Sequence, residues 1–221
     1  MRKSFFLKIE TFKVKNMLND KGFDLWAYDY DKCVGISDDD GTYPFAGYKT
    51  VLNEIFNRVL RASAKTVLDI GFGTGVLTAK LYDYGCIVWG QDFSGRMIEL
   101  AQRKMPNAKL FRGDFSKGLA EPLTHQKYDA VIATYSLHHL TDAKKLPFIE
   151  NLLSLLNTGG SIYIADVAFD TRASLEKCKA ESGDEWDDDE MYFVYDELKE
   201  SFPNMKFEQM SCCAGLLSLQ K

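Results

Sequence analysis

From Lys65 onward, short apolar runs alternate with segments of helical periodicity, the pattern that builds βαβ units and a parallel sheet. Residues 65–70 read as a first strand and 74–84 as its helix. A second strand over 86–91 is followed by a helix over 94–104, with Ser94 placed as N-cap and Pro106 beyond its end. Residues 108–112 form a short third strand and 128–134 a fourth. A helix over 142–156 stops at Thr158-Gly-Gly160, and 161–167 is the fifth strand. Further on, 171–202 has helical character with an acidic interruption. The apolar runs 205–210 and 214–219 then read as a terminal hairpin, which adds an antiparallel strand to a parallel sheet. Ahead of the first strand, helical segments near 23–33 and 48–61 flank an acidic loop, Ser37-Asp-Asp-Asp-Gly41. The expected fold is α/β, a doubly wound, mostly parallel, Rossmann-like sheet of seven strands with a C-terminal antiparallel hairpin. It forms one domain over 23–221, in which 23–62 is a helical lid and 1–22 an extension.

Charge sharpens this picture. The chain carries a formal −5, but residues 1–22 hold six basic side chains against two acids, so the remainder is −9. An acidic body repels a phosphate backbone, which disfavours nucleic acid and favours a small-molecule substrate. Residues 181–190 hold seven acids, a density that cannot pack in a core and predicts a solvated turn or a flap; Trp186 within it reads equally as a lid contact or a surface aromatic. The five cysteines show no metal-type spacing and no paired framework, and no metal site is expected. They read as reduced, mostly packed thiols, with Cys212-Cys213 pointing to opposite faces of a strand, which fits a cytoplasmic protein. No apolar run approaches the roughly 18–20 residues that span a bilayer, so no membrane partner is expected. A monomer or a homodimer fits equally.

The strongest chemical signal is Val67-Leu-Asp-Ile-Gly-Phe-Gly-Thr-Gly75, a strand that runs through an acid into a glycine turn and a helix. Glycines let the backbone take positive φ and let a ligand lie against it, and the following helix points its amides outward. Position 76 is Val, so the dinucleotide pattern G-x-G-x-x-G is not met. Asp69 can accept hydrogen bonds from a cationic amino group, directly or through water. Asp92 ends the second strand beside Phe93, where an acid accepts ribose hydroxyls, or caps the next helix. Asp114 and Phe115 follow the third strand, a carboxylate and an aromatic suited to an adenine, or simply a turn. After the fourth strand, Thr134, Tyr135 and His138 stand at the sheet edge where open α/β folds bind ligands. His138 and His139 also admit a structural reading, one packed and one capping the helix near Asp142.

These pieces resemble the class I S-adenosylmethionine (AdoMet)-dependent methyltransferases of the type-11/type-25 kind. Among them, the chain is similar to small uncharacterised methyltransferases of Gram-positive bacteria. The matching segments are Phe23-Asp-Leu-Trp-Ala-Tyr-Asp-Tyr-Asp31, Tyr43-Pro-Phe-Ala-Gly-Tyr48, the glycine turn, Gly113-Asp-Phe115, Thr134-Tyr-Ser-Leu-His-His-Leu-Thr-Asp142 and Ile164-Ala-Asp-Val-Ala-Phe169. The resemblance implies AdoMet as cofactor, with contacts at Gly71, Gly73, Asp92 and Asp114; Asp69, Gly75, Phe93, Phe115 and Thr134 complete the expected cofactor set. Tyr28, Tyr30 and Tyr48 are lid aromatics or ordinary helix packing. Tyr135 and His138 are the candidate catalytic residues, His138 being the base a hydroxyl acceptor would need. The expected reaction is methyl transfer to a small molecule. The alternatives are an AdoMet-binding protein without turnover, and an RNA or protein methyltransferase.

Overall fold

The computed structural model describes residues 41–221 together with Val34. The extension 1–22, the helix expected near 23–33, and Tyr28, Tyr30 and Cys33 lie outside the described residues.

The first described helix, α1 (Tyr48–Arg61), buries Val51, Leu52, Ile55 and Val59, a spacing that lays one apolar stripe on the sheet. The alternation follows: β1 (Thr66–Ile70), α2 (Val76–Asp83), β2 (Ile87–Asp92), α3 (Gly95–Lys104), β3 (Lys109–Arg112), α4 (Glu121–Thr124), β4 (Tyr128–Thr134), α5 (Asp142–Ser154) and β5 (Leu156–Phe169). After it come α6 (Arg172–Ser182), β6 (Phe193–Val194), α7 (Tyr195–Leu198), β7 (Lys206–Gln209) and β8 (Ala214–Gln220). The main sheet runs β3-β2-β1-β4-β5-β8-β7, with β6 paired to the end of β5. The first five strands are parallel, and β8 joins β5 and β7 antiparallel. The doubly wound sheet and its terminal hairpin are as the sequence predicts; β6, two residues long, is an eighth strand inside a stretch expected to be helical.

Alternate residues of each strand feed two cores. Val67, Val88, Ile132 and Ala165 pack under α1, α2 and α3, with Leu175 and Cys178 of α6 on the same side. Leu68, Ile70, Val131 and Ile164 meet Leu123 of α4 and Phe148, Ile149 and Leu152 of α5 on the other. Strands covered on both faces need nearly continuous apolar runs, which is why β4 and β5 are so legible. Each fully buried Leu, Ile or Val contributes about 1.5–3 kcal/mol.

Two details differ from expectation. Strand β5 begins at Leu156, because the chain stays extended through Thr158-Gly-Gly160, with Gly159 at φ 79° and a register shift opposite Tyr128 and Ala130. Cys212 and Cys213 sit in the bend between β7 and β8 rather than on a strand, Cys212 exposed and Cys213 buried. Cys86, Cys178, Cys212 and Cys213 are all free thiols. Among the described residues, no helix is long and apolar enough to cross a membrane.

Candidate active site

In the order β3-β2-β1-β4-β5 the chain winds outward from β1 on one side and then returns to start β4 on the other. The C-terminal ends of β1 and β4 are therefore the switch point, where two loops part and leave a crevice. Glycine 71 leaves β1 with φ 70° and donates its amide to Gln91 O at 2.7 Å. Across from it, Ser136 Oγ donates to Ile70 O at 2.7 Å, and a Cβ on Gly71 would come 2.5 Å from Ser136 Cβ. The two loops thus touch at their base. Gly73 is at φ 55°, and a Cβ there would meet nothing within 4 Å. Gly75 caps α2 in the left-handed conformation.

Above this base opens a cleft of about 650 Å³ that includes open solvent. Gly71, Phe72 and Gly73 form its floor on the β1 side, and Asp92, Phe93 and Met97 form the β2 side. Thr134, Tyr135, Ser136 and His139 line the β4 side, and Tyr48 of α1 closes the top. Phe72 has room because residue 90 is glycine: a Cβ there would lie 2.7 Å from the Phe72 ring. Tyr135 holds φ 50°, rare for a residue with a side chain; backbone strain of that kind gathers at functional sites. Its ring packs against Phe45 and Tyr48, with centroids 5.2 and 5.3 Å away.

The acids divide the work. Asp69, 1% exposed, points to the α2 side, where Thr78 Oγ1 donates to Oδ2, and Oδ1 is buried with no hydrogen-bond partner. Burial pushes its carboxyl up to about 7, opposed by the Thr78 bond and helped by the charge of Asp92. Asp92 accepts from Gly73 N at 2.8 Å and Ser94 N at 2.9 Å, so it ties the glycine turn to the start of α3. Ser94 is the N-cap of α3, accepting from Met97 N. Asp92 therefore braces backbone on both sides and also lines the cleft, while the cap itself is Ser94. Gly113 N donates to Asp92 O at 2.9 Å, which sets Asp114 at the next strand end outward. There Asp114 accepts from Ser116 N at 2.9 Å and pairs with the exposed Lys117 at 3.0 Å. Of the expected cofactor residues, Asp69, Gly75, Asp114 and Phe115 are not among those lining the cleft; Phe115 is buried beneath, against Phe148 at 5.9 Å between centroids.

The two histidines split in a way the sequence did not indicate. His138 is buried behind the cleft wall, with Nδ1 2.6 Å from Asp166 Oδ1 and Nε2 3.4 Å from Glu190 Oε1. Burial lowers its pKa, but the charge and hydrogen bond of Asp166, with Glu190, outweigh that and hold it at about 8. His139 faces the cleft, and burial together with the His138 charge lowers its pKa to about 3, so it is neutral. It does not cap α5, whose N-cap Thr141 makes no side-chain bond. Sequence reasoning also missed Thr78, although one turn of helix from Gly75 aims it back at Asp69. The acidic stretch is a solvated turn, with Asp184, Glu185, Asp187, Asp188 and Asp189 exposed. Trp186 stacks on Tyr43 at 5.0 Å, and Met191 N donates to His138 O at 3.0 Å, so its end docks beside the histidines.

A glycine turn beside a buried, half-satisfied acid faces Tyr135 and Tyr48 across the switch point, the place where open α/β folds bind ligands. The family profile described as "Methyltransferase domain" matches residues 67–160. An uncharacterised methyltransferase of Anoxybacillus flavithermus is 38% identical over 72% of this chain and 72% of its own length. One of Geobacillus thermodenitrificans is 35% identical over 84% and 86%. Among solved structures, the DhpI–SAM–HEP complex superposes with a TM-score of 0.63 at 20% identity, over 90% of this chain and 94% of that one. The magnesium protoporphyrin IX methyltransferase of Synechocystis with bound S-adenosylhomocysteine gives 0.62 at 18%, over 80% and 84%. The chain belongs to this family of AdoMet-dependent methyltransferases.

Proposed function

We propose that the protein methylates a small-molecule acceptor that enters beside Tyr48, Tyr135 and His139, with AdoMet seated across the glycine turn. The observation that carries this reading is the pairing of a buried Asp69 oxygen lacking any partner with open space above Gly73. A buried acceptor without a partner costs about 1–3 kcal/mol, a cost that a cofactor ammonium would relieve.

The chain's own residues divide as follows. Asp69 holds the amino group, directly or through water. Asp92 receives the ribose hydroxyls, and Phe93 with Met97 supplies the wall against the adenine. Asp114 takes the adenine amine by giving up Lys117, an exposed ion pair of little strength. Gly73 keeps the floor bare, Gly71 lets the turn sit against Ser136 and Gly75 lets it sit against Ala101 and Met105, and Thr134 stands at the methyl side. AdoMet, when bound, supplies a methyl already activated on a sulfonium. Tyr135 and Tyr48 hold the acceptor in line, and such positioning supplies about 7–11 kcal/mol. His138, with carboxylates at both ring nitrogens, is assigned to positioning this wall rather than to proton transfer. The acidic body favours a small acceptor over nucleic acid, and the free thiols fit a cytoplasmic setting.

The test is calorimetric titration with AdoMet of the intact protein and of Asp92→Ala, followed by assay of S-adenosylhomocysteine release over a panel of amines, thiols and hydroxyl compounds. A charge-assisted bond contributes ~1.5–3 kcal/mol, so Asp92→Ala should bind roughly 10–150-fold more weakly. Binding without turnover on any acceptor class would reduce the protein to a cofactor binder.

A further inference from the structure

Behind the β4 wall of the cleft, the turn after β4 and the segment before β6 converge. Among the described residues, one ligand atom from each of His138, His139 and Glu190 lies within 4.8 Å of the others. The surroundings are built rather than incidental. Asp166, fully buried at the end of β5, binds His138 Nδ1 at 2.6 Å and also accepts from His138 N at 3.2 Å. This fixes the ring and turns Nε2 toward Glu190 Oε1 at 3.4 Å. The other oxygen of Glu190 accepts from Tyr192 Oη at 2.7 Å, and Met191 N clamps the segment to His138 O at 3.0 Å.

We propose that His138, His139 and Glu190 form a site for one divalent transition-metal ion of the zinc class, with one coordination position left open on the cleft side. Two imidazoles and one carboxylate are the donor set such ions take, and a carboxylate behind a ligating imidazole is their usual orienting partner. Tetrahedral ligands at about 2.0–2.1 Å from an ion stand about 3.4 Å apart, which is the spacing from His138 Nε2 to Glu190 Oε1. Two carboxylates, Asp166 and Glu190, face the imidazoles, and the buried Lys145 ammonium lies nearby on Met191 O and Tyr192 O.

The experiment uses the full chain, stripped with chelator and then titrated with zinc chloride by calorimetry, with metal content measured after dialysis. One ion per chain is expected, bound at micromolar or tighter affinity. Glu190→Gln and His139→Asn should each weaken it at least about tenfold, and Asp166→Asn by about 10–100-fold. Cobalt substitution should give d–d bands without thiolate charge transfer, and Cys212→Ser should change nothing. Should Asp166→Asn fail to fold, His139→Asn, at the cleft surface, carries the test. Absence of stoichiometric zinc binding overturns the proposal, as does binding that survives both Glu190→Gln and His139→Asn. AdoMet titration of the same samples separates this site from the methyl-transfer reading: either ligand can bind while the other fails.

Discussion

Alanine at Gly71 and at Gly73 should do opposite things, because the two glycines serve different needs. Gly71→Ala forces a side chain into φ 70° and places its Cβ 2.5 Å from Ser136 Cβ and 3.0 Å from Oγ. Ser136 cannot swing aside without losing its bond to Ile70 O. The left-handed conformation costs about 1–2 kcal/mol and overpacking about 1–3 more. The total of about 2–5 kcal/mol is a large share of a typical 5–15 kcal/mol. For a chain of this size it lowers Tm by about 4–20 °C. Gly73→Ala meets no protein atom within 4 Å, so it should cost only the backbone term, about 1–2 kcal/mol or roughly 2–8 °C. Its methyl instead projects into the room left for the cofactor, and a clash of about 1–3 kcal/mol weakens AdoMet by roughly 5–150-fold. Chemical denaturation and calorimetry on both variants decide the matter. Normal AdoMet affinity in Gly73→Ala would show that the cofactor does not lie over this turn. Equal destabilisation by the two variants would refute the steric account of Gly71.

Asp69 makes AdoMet binding depend on pH. Its folded carboxyl, raised to about 7, lies above the ordinary value near 3.9, so the native state binds the proton more tightly than the unfolded chain. Its contribution thus favours the fold at low pH and is lost as pH rises from about 4 through 7. AdoMet affinity should move the other way, rising up to about tenfold per pH unit toward pH 7 and then levelling, since the ammonium binds the ionised carboxylate. Affinity that stays flat between about pH 5.5 and 7.5 would sink this assignment. Asp114→Ala should weaken AdoMet by only about 2–12-fold, the effect of one exposed hydrogen bond, and Lys117→Ala should leave it unchanged or tighter. Full affinity in Asp114→Ala would mean the adenine sits elsewhere.

The elements that came through plainly from the sequence are those whose signal is local. Strand β4 lies at residues 128–134 because its centre, Ala130-Val-Ile-Ala133, is an apolar run buried on both faces with no competing period. Ser94 caps α3 because its hydroxyl needs only an amide three residues on. The glycine turn and the acids at 69 and 92 were legible for the same reason. What was not legible depends on distant partners. Which of two adjacent histidines faces the cleft is decided by Asp166, 28 residues away. Trp186 in the acidic stretch is settled by Tyr43, far earlier in the chain, and Glu190 is drawn inward by His138. Strand β6 is two residues that exist only because β5 ends beside them.

The contact between Gly71 and Ser136 has a consequence for how such enzymes diversify. The turn after β1 and the turn after β4 share one wall, where a single added methyl has no room. On the proposed reading, in which the first cradles the donor and the second meets the acceptor, neither turn can be exchanged by itself for one with a larger residue at 71 or 136. Chimaeras cut between β1 and β4 that enlarge either position should fold poorly even when each half is sound.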